Sequence, residues 1–305
     1  MKKITRLTIA FACFIAPQLH VLADDINDDD DFCLWTEIGV KKNLPMGWSV
    51  GVETEIRTED NTSRMRRLSA GVNVGYRLGK HVKFGASYNY LGIRYAAEYK
   101  DHFKTRNDGT LKLDEDGNPI WNGYKTTPAY WASRHRANFE VTGTVKLWRT
   151  IRFSLRERYQ YTHKCEREVD ETKYRFDIEK QMDAETGEIA EVKELKDGYP
   201  LTEKDIKEAE NDHILRSRLK VELDKKGVKW SPYISVECHN NLNAVHEEDK
   251  NTPVFYLKKV RAGVGVGYKF NKQHSVSAGY VITRAFDEDY HKRIHAISLG
   301  YEFEF

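Results

Sequence analysis

The chain has 305 residues, of which 49 are basic and 47 acidic, so its formal net charge is only +2. That near-cancellation argues against a nucleic-acid partner and for pairing of opposite charges within the fold. With 31% of residues charged and, past the first segment, no run close to the roughly 20 apolar residues that a membrane helix requires, helical insertion is excluded.

Residues 1–23 have the three parts of a secretory signal: Lys2, Lys3 and Arg6, an apolar stretch over 7–17, and Val21-Leu22-Ala23 as a small-residue cleavage site. The mature chain is therefore expected to begin at Asp24. Cys13 has Ala10 three positions before it instead of a large aliphatic residue, which argues against a lipid anchor. Removal of the signal leaves Cys33, Cys165 and Cys238, an odd number that implies at least one free thiol. Cys165 and Cys238 fall near the loop-side ends of expected strands, which leaves a bridge between them open. Residues 24–31 form an acidic tail without the Gly and terminal Glu of a calcium loop.

From residue 32 onward a period of two dominates, the mark of strands with unlike faces. After a first strand over 32–42, Val50, Val52, Thr54 and Ile56 alternate with Gly51, Glu53, Glu55 and Arg57. Leu68, Ala70, Val72 and Val74 alternate with Arg67, Ser69, Gly71 and Asn73, and Phe84, Ala86, Tyr88 and Tyr90 continue the pattern. Further strands are expected around 134–147, 151–161, 215–223, 228–241, 254–270 and 273–284. In the last strand His295, Ile297, Leu299, Tyr301, Phe303 and Phe305 share one face.

The polar face is crowded with Arg, Glu, Gly and Ser while the other is rich in Val, Leu, Tyr and Phe, the inside-out arrangement of a membrane barrel. Short turns at 43–47, 78–80, 148–150, 224–227 and 270–273 separate longer segments, as periplasmic turns and external loops would. Two loops are large, about 96–129 and about 163–212. Hairpins are expected in them around Asp116-Gly117-Asn118 and Glu185-Thr186-Gly187, and Thr202 to Asn211 has a helical look. The expected fold is an all-β, antiparallel, up-and-down transmembrane barrel of about 10 to 12 strands over residues 32–305. The count by eye is eleven, and the even number usual for single-chain barrels favours twelve.

The segment 31–61, with Asp31-Phe32, Trp35, the Lys41-Lys42-Asn43-Leu44 turn, Trp48, and Glu53 to Arg57 ahead of Asn61, resembles the start of an uncharacterised Bacteroidetes family, domain of unknown function 2490. The resemblance implies a signal-bearing barrel of the Gram-negative outer membrane with an Arg-bearing second strand, and it supplies no activity. The aromatic-ended last strand resembles the signal read by barrel-assembly machinery. Expected partners are accordingly that machinery during insertion, and outer-membrane lipid and lipopolysaccharide.

Candidate chemistry centres on the inward face, where Glu53, Glu55, Arg57, Arg67, Arg77, Arg134, Arg136, Glu140, Arg152, Arg156, Arg158, Arg216, Arg218, Glu222 and Arg261 are expected to line the lumen. Two readings stand: a lumen filled by paired charge in a non-enzymatic structural or surface-interaction barrel, or a narrow pore whose fixed cations favour small anions. A third, lipid hydrolysis by Ser133 and His135 on the apolar face, follows from their two-residue spacing, although the order is the reverse of the His-x-Ser of outer-membrane lipid hydrolases. Between Cys165 and Asn211 about 16 acidic residues face about 8 basic ones, read as a solvated surface. Trp35, Trp48, Tyr88, Tyr90, Trp131, Trp148, Tyr159, Tyr161, Trp230 and Tyr301 read as membrane-interface girdles. No cofactor motif and no metal-ligand spacing occurs.

Overall fold

The computed structural model describes residues 30–114, 116–182, 189–245, 253–286 and 293–305. The expected signal, residues 24–29 of the acidic tail, and the Glu185-Thr186-Gly187 turn lie outside the described residues. The strands are β1 (Asp31–Asn43), β2 (Trp48–Glu59), β3 (Arg64–Leu78), β4 (Val82–Tyr95), β5 (Glu98–Phe103), β6 (Trp121–Thr127), β7 (Tyr130–Leu147) and β8 (Ile151–Lys164). They continue as β9 (Arg167–Met182), β10 (Ile189–Leu195), β11 (Leu201–Lys207), β12 (Glu210–Leu223), β13 (Trp230–Val245), β14 (Pro253–Lys269), β15 (His274–Ala285) and β16 (Arg293–Glu304).

Eleven strands close into a barrel in the order β1-β16-β15-β14-β13-β12-β8-β7-β4-β3-β2. The count lies within the expected range but is odd, so the preference for twelve is corrected. An odd number of strands that each reverse direction leaves the first and last pointing the same way. The seam between β1 and β16 is therefore parallel, from Asp31 opposite Ile294 to Lys41 opposite Glu304. Its turn-side end is tied by Asn43 N–H to the Phe305 carbonyl and Phe305 N–H to the Lys41 carbonyl, both 3.0 Å, and by the Lys41–Glu304 ion pair at 3.3 Å.

The alternation places polar residues inside and apolar ones outside. Asn89, Asn138, Arg156, Gln160, Thr162 and Glu237 are buried, whereas Val72 is 54% and Phe139 59% exposed. An apolar belt of this extent would aggregate in water; hydrocarbon is the solvent that suits it. All backbone pairing along the closed wall is internal, as a membrane span requires.

Aromatic pairs mark the turn-side rim, with Trp48 on Tyr76 at 4.9 Å, Trp230 on Tyr268 at 4.4 Å and Phe303 on Phe305 at 5.5 Å. Trp35 departs from its expected girdle position. It sits inside, with the Arg57 guanidinium 4.0 Å and the Arg261 guanidinium 4.7 Å from its ring.

The five short turns connect barrel strands at one end. In the first, Gly47 has φ +85°, and a Cβ there would lie 2.8 Å from the Arg77 carbonyl oxygen, so the tight entry into β2 selects glycine. At the opposite end β10, β9, β6 and β5 form a separate sheet, with β11 also pairing β9. Asp114, Gly117 and Asn118 make the expected turn, with Asp114 N–H donating to the Asn118 carbonyl at 2.9 Å. The helical expectation for Thr202 to Asn211 is overturned: β11 pairs with β9 from Leu201 opposite Lys173 to Lys207 opposite Arg167, and Glu210 already opens β12. Cys165 and Cys238 are both free thiols, which removes the bridge between them.

Candidate functional site: the charged lumen

Strand register decides which charges meet. Glu140 lies directly opposite Arg158, and Arg152 opposite Glu222. Other rungs oppose like charges instead, among them Arg57 with Arg67, Arg158 with Arg216, Arg156 with Arg218, and Glu37 with Glu55. The arginine rungs are unfavourable unless carboxylates or other anions intervene.

Three carboxylates do most of the intervening. Glu55 accepts from Arg57 at 2.7 and 2.9 Å and also pairs with Arg67. Glu140 accepts from Arg158 at 2.6 and 2.9 Å and lies 3.7 Å from Arg156. Glu237, only 4% exposed, pairs with Arg156 at 2.8 Å, Arg216 at 3.0 Å and Arg261 at 3.6 Å. Glu53 takes a hydrogen bond from Asn89 at 2.8 Å instead of an arginine. These charge-assisted contacts fix long side chains that would otherwise be free to sweep the lumen.

Close packing of these groups requires inward-facing glycines. A Cβ on Gly265 would fall 2.6 Å from the Tyr233 hydroxyl, so the phenol folds flat against the wall there. Among the described residues the remaining space includes two cavities. One of about 190 Å³ lies among Lys41, Lys83, Glu140 and Glu302. The other, of about 420 Å³, lies in mid-lumen and shares Glu37, Glu53 and Arg158 with the first.

The larger cavity is lined by nine cationic side chains, Lys220 and the arginines at 57, 67, 136, 156, 158, 216, 218 and 261, against four carboxylates, Glu37, Glu53, Glu55 and Glu237. Arg136 donates to the Thr162 hydroxyl at 3.2 Å. Arg218 has neither an ion pair nor a hydrogen bond among the described residues, and its buried Nε is unpartnered, as are those of Arg67 and Arg156.

The other expected lumen residues lie outside this cavity. Arg77 is exposed at the turn-side mouth. Arg152 pairs with Asp224, which also receives Lys146 at 2.8 Å, and Glu222 pairs with Lys220 at 2.8 Å. Arg134 donates to the Tyr95 hydroxyl at the loop-side end. Glu237 and Trp35 are inward residues that the sequence did not reveal; the alternation Tyr233, Ser235, Glu237, His239 on β13 was the signal for the first.

Ser133 and His135 are on the outer face, but each is engaged by a different tyrosine. The Ser133 hydroxyl lies 2.6 Å from the Tyr90 hydroxyl, and His135 Nδ1 lies 2.6 Å from the Tyr88 hydroxyl. No hydrogen bond joins the two among the described residues, so the geometry does not assemble a nucleophile and its base. Among the described residues no cluster of three or more His, Cys, Asp or Glu could hold a metal ion.

The chain belongs to the family described as Protein of unknown function (DUF2490), whose model matches residues 32–293. No curated protein matches its sequence. Among solved structures it is similar to the TodX ΔS2S3 mutant monoaromatic hydrocarbon channel, with 12% identity, a TM-score of 0.40, and coverage of 80% of this chain and 66% of that one. It is similar to the CymD monoaromatic hydrocarbon channel at 10% identity and a TM-score of 0.36, over 84% and 83% of the two chains. The translocator domain of the autotransporter NalP from Neisseria meningitidis matches at 15% identity and a TM-score of 0.22, over 91% of each chain. The fold assignment stands on this chain's own strand pairing.

Proposed function

We propose that this protein is an outer-membrane barrel of a Gram-negative cell, of the Bacteroidetes as the first-strand resemblance implies, and that its lumen is a narrow, anion-preferring path for small solutes. The observation that carries the reading is the excess of nine cations over four carboxylates around the mid-lumen cavity. Fixed positive charge along a constricted path concentrates anions and repels cations. A hydrocarbon cargo finds little to bind in a lining so rich in charge. On this reading outer-membrane lipid and lipopolysaccharide surround the apolar belt, and assembly machinery acts on the Tyr301, Phe303 and Phe305 end of β16.

The density of pairing at Glu55, Glu140 and Glu237 favours a second reading, a structural or surface-interaction barrel whose lumen is plugged by its own ion pairs. Planar-bilayer recording of the purified barrel separates the two. Stable unitary openings, altered in amplitude by Arg156→Gln with Arg158→Gln, are expected for the pore. Silent membranes from correctly folded protein would leave the plugged barrel.

A further inference from the structure

Within the cationic lining, one rung of the lumen stands apart in its pairing. Arg156 on β8 and Arg218 on β12 are directly opposed. Arg156 pairs with Glu237, which simultaneously serves Arg216 and Arg261, and lies 3.7 Å from Glu140, which is held more closely by Arg158. Two carboxylates, Glu140 and Glu237, thus answer four guanidinium groups, those of Arg156, Arg158, Arg216 and Arg261, and Arg218 has no ion pair among the described residues although Glu237 is its Cα partner on β13. Both Arg156 and Arg218 also keep a buried Nε–H without an acceptor, and a buried donor left unsatisfied carries the full cost of its desolvation.

We infer that this rung holds a small oxyanion, a phosphate or carboxylate group, bridged between Arg156 and Arg218 in the mid-lumen cavity. The inference rests on the cationic-lumen reading and narrows it to a place and a ligand chemistry. Two oxygens on one centre match the planar fork of a guanidinium, which a monatomic anion does not. The group would supply the missing negative charge and acceptors for the two orphaned N–H groups together. A cavity of about 420 Å³ has room for such a group with water around it, since a water takes about 30 Å³ of liquid volume. Glu37 and Glu53 on the far wall oppose a second anion, which favours a single bound group.

Isothermal titration calorimetry of the full-length barrel in detergent tests this, with inorganic phosphate and with succinate as probes in a chloride background. Saturable binding of one equivalent of either probe is expected, weakened at least tenfold in Arg218→Gln and unchanged in Arg64→Gln, whose side chain lies on the external surface beside Asp60. Arg218→Lys keeps the charge without the fork and should restore part of the affinity. Binding of phosphate alone, or succinate alone, supports the site and identifies its source. No saturable heat with either probe, or equal affinity in wild type and Arg218→Gln, overturns it.

Should Arg218→Gln fail to fold by heat-modifiable gel migration, the wild-type unfolding temperature decides instead. A rise in phosphate over chloride at equal ionic strength supports the site, and no rise overturns it. Saturable binding by a barrel that is silent in bilayers would keep the site and remove the pore; openings without saturable binding would do the reverse.

Discussion

Glu237 faces three guanidinium groups at 2.8, 3.0 and 3.6 Å from a position that is almost wholly enclosed. Removing its charge leaves Arg156, Arg216 and Arg261 without their shared carboxylate. Glu237→Gln should therefore cost about 3–5 kcal/mol, the scale for breaking a buried ion pair. Asp60→Asn, which breaks an exposed pair with Arg64, should cost less than about 1 kcal/mol. Urea unfolding in detergent micelles measures both, and equal losses would contradict the enclosed network. At this scale legibility was uneven. Arg57, Arg156 and Arg216 were readable because each stands in a run of strict alternation, whereas Glu237 lay in a strand whose faces were not separated. Trp35 was misread because aromatic residues near strand ends usually face lipid, and only barrel closure brings the Arg57 and Arg261 guanidinium groups to its ring.

One residue tests the opposite face. Glu157 lies midway along β8 on the outer wall, and its carboxylate accepts from the Ser217 hydroxyl at 2.6 Å. A carboxylate facing hydrocarbon is unfavourable, by less than the 2–4 kcal/mol of a basic residue at the midplane. Glu157→Val with Ser217→Ala should accordingly raise the unfolding free energy by about 1 kcal/mol. A clear loss of stability would contradict a lipid-facing position.

At the scale of elements, the seam is the feature least readable from sequence. The alternation located eleven strands, and the rule of even numbers then argued against the right count. Nothing local distinguishes a parallel neighbour from an antiparallel one, because both present alternating faces; direction follows only from closing the whole ring. The seam is directly testable. Thr36 and Leu299 are Cα partners across it, within the 4.4–6.8 Å Cα separation that a disulfide bridges. In a background with the three native thiols replaced by serine, Thr36→Cys with Leu299→Cys should crosslink fully on mild oxidation. Thr36→Cys with Ala278→Cys, two strand spacings or roughly 10 Å apart, should not. The reverse pattern would mean that β1 is not a wall strand beside β16. For β11 the local signal failed differently: the charges of Thr202 to Asn211 suit a helix surface, but the long edge of β9 supplies unpaired backbone groups, and pairing with them wins.

At the scale of the molecule, the barrel and the second sheet are separable by pairing. The last barrel rungs beneath the two large connections are Tyr95 opposite Tyr130 and Lys164 opposite Glu210, and β5, β6, β9, β10 and β11 pair among themselves. Replacing residues 96–129 and 165–209 together by short glycine-containing turns should leave a barrel with heat-modifiable gel migration in the membrane fraction. Loss of the barrel would show that the sheet is needed for closure. The inside-out wall and the positions of its turns were readable because lipid and lumen impose opposite demands on alternate residues. The charge balance of the lumen was not, since it depends on which carboxylate reaches which guanidinium across strands far apart in the chain.

This balance leaves the mid-lumen positive. Its most direct measurement is the reversal potential of the reconstituted barrel under a tenfold potassium chloride gradient. A potential of the sign set by chloride movement, shifted toward zero by Arg156→Gln with Arg218→Gln, is predicted; a potential of the sign set by potassium, or one indifferent to those substitutions, would contradict it.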